Sequence, residues 1–378
     1  MFFISTIILF FSSCLCYSSS TRIDSVPFSF ERGNLYINIS IDNEMYKFLF
    51  SSVGYTAVSK ELIEKYDYKV NSENQTVKNT VFYSVNELKL GSTFFRNVDA
   101  RILPENFNSN CGKIDGIIGA NMLSKQIWKI DYQNGKILFS NSIDDFEFSQ
   151  QVKIINFKTV GTNNSPLISL KIDNVLFEKV MVNLGSNGTI SLPIEDFKNK
   201  VNNFKNVAYK GTEKFFGKSQ VTLFTEICTM IPKVTLGTSE LGETMVSFFN
   251  NGSSMLGNKI LKDYEVTIDW RNKNIYLDNY TFHENYSIED YGFYFYKRSD
   301  KIEVVGLYVN SNADKQGIKN GDVVIRINDI DFTRISDDEL CDLYLNFKNY
   351  FNNQTINVTV LRGTEKLNFS IQKQVILN

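Results

Sequence analysis

Length, composition and charge narrow the functional classes open to this chain. Its 378 residues suffice for two or three domains, and a hydrophobic content of 43% with 31 Phe and 19 Tyr favours strand-rich cores. Its 40 Lys and Arg nearly balance 42 Asp and Glu without a long basic run, which argues against a nucleic-acid partner. A single histidine, His283, excludes a His-rich metal site and argues against a Ser-His-Asp triad, so we predict neither metal nor other cofactor.

The N-terminal segment, residues 1–20, predicts export. Its largely apolar run at 2–11 is too short to span a bilayer and is typical of a signal peptide. Small residues before Cys14 also fit a lipoprotein box, so cleavage and acylation at Cys14 are both open. Periplasm, cell surface and secretion are the predicted locations, and we expect membrane attachment through this end only.

The first predicted unit covers residues 21–148 and consists mainly of strands. Alternating residues from Leu35 to Ser51 predict a hairpin that turns at Asp42-Asn43. A short helix is expected over residues 60–66, with Ser59 as its N-cap. Further predicted elements are a polar hairpin at 69–81, strands at 85–91, 98–102 and 115–119, a helical turn at 121–126 and a closing hairpin at 128–139.

The second predicted unit, residues 149–282, repeats this order. It contains a hairpin at 166–182 that turns at Asp173-Asn174, a helix ending near Val201, a strand at 254–257 and a closing hairpin at 266–277. Correspondences in the same order over two stretches of similar length indicate an internal duplication. Two copies predict a pseudo-symmetric pair of lobes.

Each copy places a small polar loop after its first hairpin. Ser52-Val53-Gly54 follows the strand that ends at Phe50, and Asn183-Leu184-Gly185-Ser186 follows the strand that ends at Val182. Ser52 and Asn183 each lie ten residues after the Asp of the preceding Asp-Asn turn. This equal spacing predicts that they are equivalent positions; an alignment through Ser51 is the alternative.

The duplicated framework resembles the two fused lobes of an aspartic peptidase of the retropepsin or pepsin type. The resemblance is carried by the two loops, by the apolar strands that end in Gly119 and Gly257, and by the closing Ile-Asp-Tyr and Ile-Asp-Trp strands at 130–132 and 268–270. It implies that the lobes enclose a substrate cleft with one loop of each lobe at its floor.

The acids that such chemistry requires are missing from both loops. Two facing carboxylates share a proton, so that one activates water while the other protonates the substrate carbonyl. The equivalent positions here are Ser52 and Asn183, whose side chains have no proton that titrates near neutral or acid pH. Asp115, Asp131 and Asp269 lie outside the loops and are expected to be structural.

Residues 283–378 resemble a PDZ domain. The resemblance is carried by the run from Ala313 to Asn328, which contains Gly317-Ile318-Lys319-Asn320-Gly321-Asp322-Val323-Val324. It implies that a peptide is added as a strand and that backbone N–H groups of a Gly-containing loop hold its C-terminal carboxylate. The candidate binding loop is Tyr291-Gly292-Phe293-Tyr294. The alternative is that the preceding lobe closes this groove, which then serves only for docking.

These observations predict a mostly β, monomeric protein with two aspartic-peptidase-like lobes and a C-terminal PDZ-like domain. The leading hypothesis is a non-catalytic pseudopeptidase that binds a peptide or protein through its cleft, its PDZ-like domain or both. Two alternatives remain: an active endopeptidase with an atypical site, and a structural surface protein.

Overall fold

A computed structural model describes residues 23–71, 80–104, 107, 113–214, 221–237, 239–250, 252–278 and 286–378. The fold is mostly β with short helices, as the sequence predicts. Cys14, Cys111, His283 and most of the polar hairpin at 69–81 lie outside the described residues.

The first half of the chain contains an eight-stranded sheet, three strands of a second sheet and two short helices. The hairpin of residues 34–50 turns tightly because Asp42 and Asn43 both adopt left-handed backbone conformations, with φ of 54° and 65°. The Ser59 side chain caps the first helix by accepting a hydrogen bond from the Leu62 N–H. The elements are β1 (Asp24–Pro27), β2 (Ser29–Glu31), β3 (Asn34–Ile41), β4 (Glu44–Phe50), β5 (Thr56–Val58), α1 (Lys60–Lys65), β6 (Lys69–Val70), β7 (Tyr83–Leu90), β8 (Thr93–Ile102), β9 (Gly116–Ile118), α2 (Ala120–Leu123), β10 (Ile127–Asp131) and β11 (Lys136–Ser140).

The second half repeats most of this order. One predicted element is wrong: the stretch before Val201 does not form a helix matching α1, and only a 3-10 turn at Val201–Asn203 follows. Asn199 in this stretch, and Asn202 and Asn203 just after it, are weak helix formers. The elements are β12 (Lys153–Asn156), β13 (Lys158–Val160), β14 (Ser165–Ile172), β15 (Val175–Asn183), β16 (Ile190–Pro193), β17 (Asn206–Lys214), β18 (Val221–Ile231), β19 (Val234–Leu236), β20 (Ser239–Leu241), β21 (Thr244–Phe249), β22 (Met255–Gly257), α3 (Asn258–Leu261), β23 (Glu265–Asp269) and β24 (Asn274–Asp278).

The two halves share a framework and a common sheet. Strand β4 pairs in parallel with β9, and β15 pairs in parallel with β22; a short helix follows each pair. The closing hairpins join in one six-stranded sheet of order β1-β11-β10-β23-β24-β12, in which Trp128 faces Ile268. One continuous hydrophobic core runs through both halves.

The C-terminal part builds a second core. Tyr291, Phe295, Val304 and Leu343 are among the buried residues of this core. The elements are β25 (Ile288–Asp290), β26 (Phe293–Arg298), β27 (Lys301–Tyr308), α4 (Asn312–Gln316), β28 (Val323–Ile327), β29 (Ile330–Asp331), α5 (Asp337–Leu345), α6 (Phe347–Tyr350), β30 (Thr355–Arg362), β31 (Glu365–Gln372) and β32 (Gln374–Leu377).

The C-terminal part is joined to the second half by a shared ladder. Strand β17 pairs antiparallel with β27, with Tyr209 opposite Tyr308 and Gly211 opposite Gly306. The last strand, β32, pairs with β25, and its Leu377 is buried in the core of the two halves. The two cores are therefore connected through backbone pairing as well as side-chain contact.

Candidate functional site

Two equivalent loops meet at the junction of the two halves. One loop follows β4 and the other follows β15. The first loop passes over Gly119, which directly follows β9, and the second passes over Gly257, the last residue of β22. A Cβ at Gly119 would lie 2.3 Å from the carbonyl carbon of Tyr55, and one at Gly257 would lie 2.5 Å from the Gly188 oxygen. Both positions require glycine because loop backbone occupies the space that a side chain would need.

Strand register shows which residues of the two loops are equivalent. Phe50 pairs with Ile118 in the first half, and Val182 pairs with Leu256 in the second. Ile118 directly precedes Gly119, and Leu256 directly precedes Gly257. The residue after Phe50 therefore corresponds to the residue after Val182, which is Asn183. The counterpart of Asn183 is therefore Ser51, and the predicted equivalence of Ser52 and Asn183 is wrong.

Backbone hydrogen bonds support the same correspondence. The Ala120 N–H donates to the Gly54 oxygen at 2.9 Å, and the Asn258 N–H donates to the Ser186 oxygen at 2.8 Å. Each donor is the residue directly after the glycine, so Gly54 corresponds to Ser186. Counting back three residues from each again matches Ser51 with Asn183.

A β-bulge explains why equal spacing from the turn was misleading. The β3–β4 ladder is regular, whereas the β14–β15 register shifts between Ile168 and Leu170. Lys179 lies in the extra segment of β15 with a φ of 60°. The bulge inserts one residue into β15. A position ten residues after Asp173 therefore corresponds to a position nine residues after Asp42.

Ser51 and Asn183 face each other at the floor formed by the loops. The Ser51 Oγ lies 3.3 Å from the Asn183 Oδ1, and the two residues are 5% and 9% exposed. The Asn183 Oδ1 also accepts a hydrogen bond from the Gly185 N–H at 2.9 Å. A hydroxyl facing an amide can bind through hydrogen bonds, but it offers no acid or base near neutral pH.

Ser52 has a different task, which is to lock the halves together. It is fully buried; its Oγ donates to the Val182 oxygen at 2.5 Å and accepts from the Leu184 N–H at 2.9 Å. One hydroxyl therefore satisfies two buried backbone groups of the opposite loop. Val53 and Gly54 complete this loop and are half-buried.

The second loop makes its reciprocal contacts through another residue. Leu184 occupies the position equivalent to Ser52 and is a fully buried member of the main core. The buried Asn258 side chain instead donates to the Leu184 oxygen at 2.6 Å and to the Gly33 oxygen of the first half at 2.9 Å. Its Oδ1 accepts from the Tyr132 hydroxyl at 2.8 Å.

Sequence reasoning missed Asn258 and also Ser165, whose Oγ accepts from the Gly54 N–H at 3.0 Å. Both lie far along the chain from the loops that they support. Asn258 directly follows Gly257 of the resemblance motif, and that adjacency was the one available signal.

The three other acids considered from the sequence hold turns or strand ends. The Asp115 Oδ2 accepts from the Lys47 N–H at 2.9 Å, and the Asp131 Oδ1 accepts from the Asn134 N–H at 3.0 Å. The Asp269 Oδ1 accepts from the Arg271 N–H at 2.9 Å. Their hydrogen bonds give each of them a structural role.

Cys228 does not supply an alternative nucleophile. It is buried beside Ser247, and desolvation raises the pKa of its thiol to about 12. The thiol therefore stays neutral, whereas the thiolate is the reactive form.

The predicted binding loop of the C-terminal part is mostly buried. Tyr291 and Phe293 are 1% and 3% exposed, and Gly292 between them is buried as well. The Tyr291 hydroxyl donates a hydrogen bond to the Asn353 oxygen at 2.5 Å. The side chains of Tyr291 and Phe293 therefore belong to the core, and of this loop's aromatic residues Tyr294 alone is exposed, at 36%.

The comparisons with known proteins give no family. No protein-family model matches this chain, and no curated protein is similar to it. Within the described ranges, no three His, Cys, Asp or Glu side chains are grouped so that they could hold a metal ion. In the same part of the chain, every helix is too short or too polar to cross a bilayer.

Proposed function

We propose that this chain is a non-catalytic, aspartic-peptidase-like protein with a PDZ-like C-terminal part, and that it binds extended polypeptide. The observation that carries the proposal is the Ser51 hydroxyl 3.3 Å from the Asn183 amide, where the two loops meet. The proposed cleft lies above this pair. We expect backbone groups that line this cleft to pair with an extended chain.

The chemistry of the pair argues for binding over hydrolysis. A positioned acid or base contributes roughly 10² to 10⁴ in rate, and neither member of this pair can act as one. The loops are nevertheless interlocked through Ser52 and Asn258. A binding role requires the two loops to stay in contact, but it does not require acidic side chains in them.

We also propose that the chain is an exported monomer. Its N-terminal segment then acts as a signal peptide or, alternatively, attaches the chain to a membrane at Cys14. A peptide or protein is the proposed partner, and no cofactor or nucleic acid is needed for it.

Two assays with one probe test the proposal. The probe is fluorescein-labelled, carboxymethylated α-lactalbumin, an unfolded polypeptide. We expect its anisotropy to rise on addition of the full chain, and we expect no cleavage from pH 3 to pH 7. Cleavage blocked by a transition-state-mimic inhibitor of aspartic peptidases would overturn the non-catalytic assignment.

A matched pair of variants locates the binding. Val53→Arg adds a large cation to the half-buried loop beside Ser52, whereas Leu176→Arg changes a residue that is 56% exposed at the β14–β15 turn. We expect the first variant to weaken binding of the probe and the second to leave it unchanged. Absence of binding by the unmodified chain would contradict the proposal and favour a structural role.

A further inference from the structure

Among the described strands, β26 lies at an edge of its sheet, beside a helix. It pairs with β27, and among the described strands it has no second partner. Helix α5 lies along its side, because Lys297 forms an ion pair with Asp337 and the Tyr296 ring stacks on Tyr344 at 6.1 Å. An open strand edge flanked by a helix can accept an added extended segment.

The same sheet already accepts a strand from outside the C-terminal part. Strand β17 pairs with the opposite edge of β27, and the Val309 N–H donates to the Ala208 oxygen at 2.8 Å. The Arg298 guanidinium, on β26, donates to the Thr212 oxygen at 2.6 Å. Strand addition is therefore an interaction that this sheet makes within the molecule, and β26 offers an edge for a second added strand.

The loop that leads into β26 is already filled by a carboxylate. The Asp290 Oδ1 accepts from the Tyr291 N–H at 2.6 Å and from the Gly292 N–H at 3.3 Å. Burial is the largest influence on Asp290 and raises its pKa, although these two hydrogen bonds oppose the rise. The N–H groups that could receive a ligand carboxylate are thus used by a side chain of the same loop.

The loop has little freedom to release them. Gly292 has a φ of 97°, and a Cβ there would lie 2.3 Å from the Ser311 side chain. The Gly292 oxygen accepts from the Tyr308 N–H at 3.0 Å and lies 3.3 Å from the donating Ser311 Oγ. The loop is therefore held from both sides.

The adjacent helix defines the favoured charge of a ligand. The first turn of α5 contains Asp337, Asp338 and Glu339, and its last turn contains no basic residue. Asp337 is already paired with Lys297, and Glu339 accepts hydrogen bonds from Ser336. Basic side chains on an added strand would therefore gain favourable electrostatic interactions mainly with the exposed Asp338.

We infer that β26 pairs with internal, basic stretches of extended polypeptide and does not require a free C-terminal carboxylate, because Asp290 occupies the N–H groups where one would bind. This inference rests on the proposed polypeptide binding and specifies the ligand class for the C-terminal part.

The test compares two peptides on the full chain. Both are fluorescein-labelled dodecapeptides of alternating valine and lysine, one ending in a carboxylate and the other in a carboxamide. We expect equal affinities within twofold, weaker binding of a valine-glutamate peptide, and weaker binding of the lysine peptides to Asp338→Lys. Leu176→Arg, at an exposed position outside both proposed sites, should leave these affinities unchanged.

Variants at Asp290 decide whether this carboxylate is the cause. Asp290→Ala frees two N–H groups, so we expect it to bind the carboxylate peptide about 10-fold more tightly than the carboxamide, as charge-assisted hydrogen bonds warrant. Asp290→Asn keeps an oxygen acceptor, so we expect no such preference. Circular dichroism establishes that each variant is folded.

Each outcome has a defined meaning. A carboxylate preference in the unmodified chain, or none in folded Asp290→Ala, would overturn the inference. Failure of both lysine peptides to bind would overturn it as well. In that case, the proposed function would still be supported if the chain bound unfolded α-lactalbumin and Val53→Arg weakened that binding.

Discussion

The two loops at the junction share a backbone path and differ in how they hold the opposite half. The first loop uses the Ser52 hydroxyl, which bonds the Val182 oxygen and the Leu184 N–H. The second has a buried leucine at the equivalent position and reaches the first half through Asn258, just after β22. The interlock is thus asymmetric in its chemistry although its geometry is nearly symmetric.

This difference teaches that joining the halves and supporting chemistry are separate tasks. Ser51 and Asn183 face each other where the loops meet, while Ser52 and Asn258 hold the halves in contact. Substitutions in the first pair should therefore leave the contacts made by the second pair intact. Four substitutions test this division of roles.

The largest expected effect is that of Asn258→Ala. This residue is fully buried and satisfies the Leu184 and Gly33 oxygens and the Tyr132 hydroxyl. Leaving buried polar groups unsatisfied costs about 1 to 3 kcal/mol each, so we expect a loss of at least about 3 kcal/mol in the free energy of unfolding. Urea denaturation measures it. Asn156→Ala, which breaks an exposed bond to Asn274, is the control and should change stability by less than about 0.5 kcal/mol.

Ser52→Ala should come next. It removes the donor to the Val182 oxygen and the acceptor for the Leu184 N–H in a fully buried setting. We expect a loss of about 2 kcal/mol by urea denaturation, because two backbone groups lose their partner. Ser52→Thr keeps the hydroxyl and should lose less; an equal loss would assign the effect to packing.

The double substitution Ser51→Asp with Asn183→Asp tests the corrected equivalence. Two acids at this distance cannot both ionise easily, so one folded-state pKa should rise above its unfolded value. Stability from that group is present at low pH and is lost as the pH rises through the raised pKa, by about 1.4 kcal/mol for every tenfold difference in proton affinity between the folded and unfolded states. Urea denaturation at pH 4 and pH 7, relative to the unmodified chain, measures the loss. A pH dependence matching that of the single Asn183→Asp variant would contradict the facing arrangement.

The smallest effect is expected for Ser51→Ala. The Ser51 Oγ makes contacts of 3.1 to 3.3 Å with Val53 and Asn183, longer than those of Ser52. The Asn183 Oδ1 also keeps its bond from the Gly185 N–H. We therefore expect a loss below about 1 kcal/mol. A cost equal to that of Ser52→Ala would remove the proposed distinction between floor and interlock.

Much of the fold follows from local sequence signals. Asp42-Asn43 predicted the first hairpin, and Ser59 predicted the start of α1. These features depend on a few adjacent residues whose conformational preferences agree with the final structure.

The site was less predictable because its contacts depend on non-local geometry. The bulge at Lys179 shifted the equivalence by one residue, and no turn signal marks it in the sequence. Asn258 acts across the junction on the distant Gly33. The burial of Tyr291 depends on the carbonyl of Asn353, which is about sixty residues further along the chain.

The ladder between β17 and β27 has a consequence for how the molecule comes apart. Tyr209 and Gly211 pair with Tyr308 and Gly306, and Leu377 returns to the main core. Modules linked this way stabilise each other through the shared pairing, so unfolding of the C-terminal part should lower the stability of the second half. Deleting residues 291–378 would leave β17 as a bare strand edge and make the shortened chain prone to edge-to-edge aggregation.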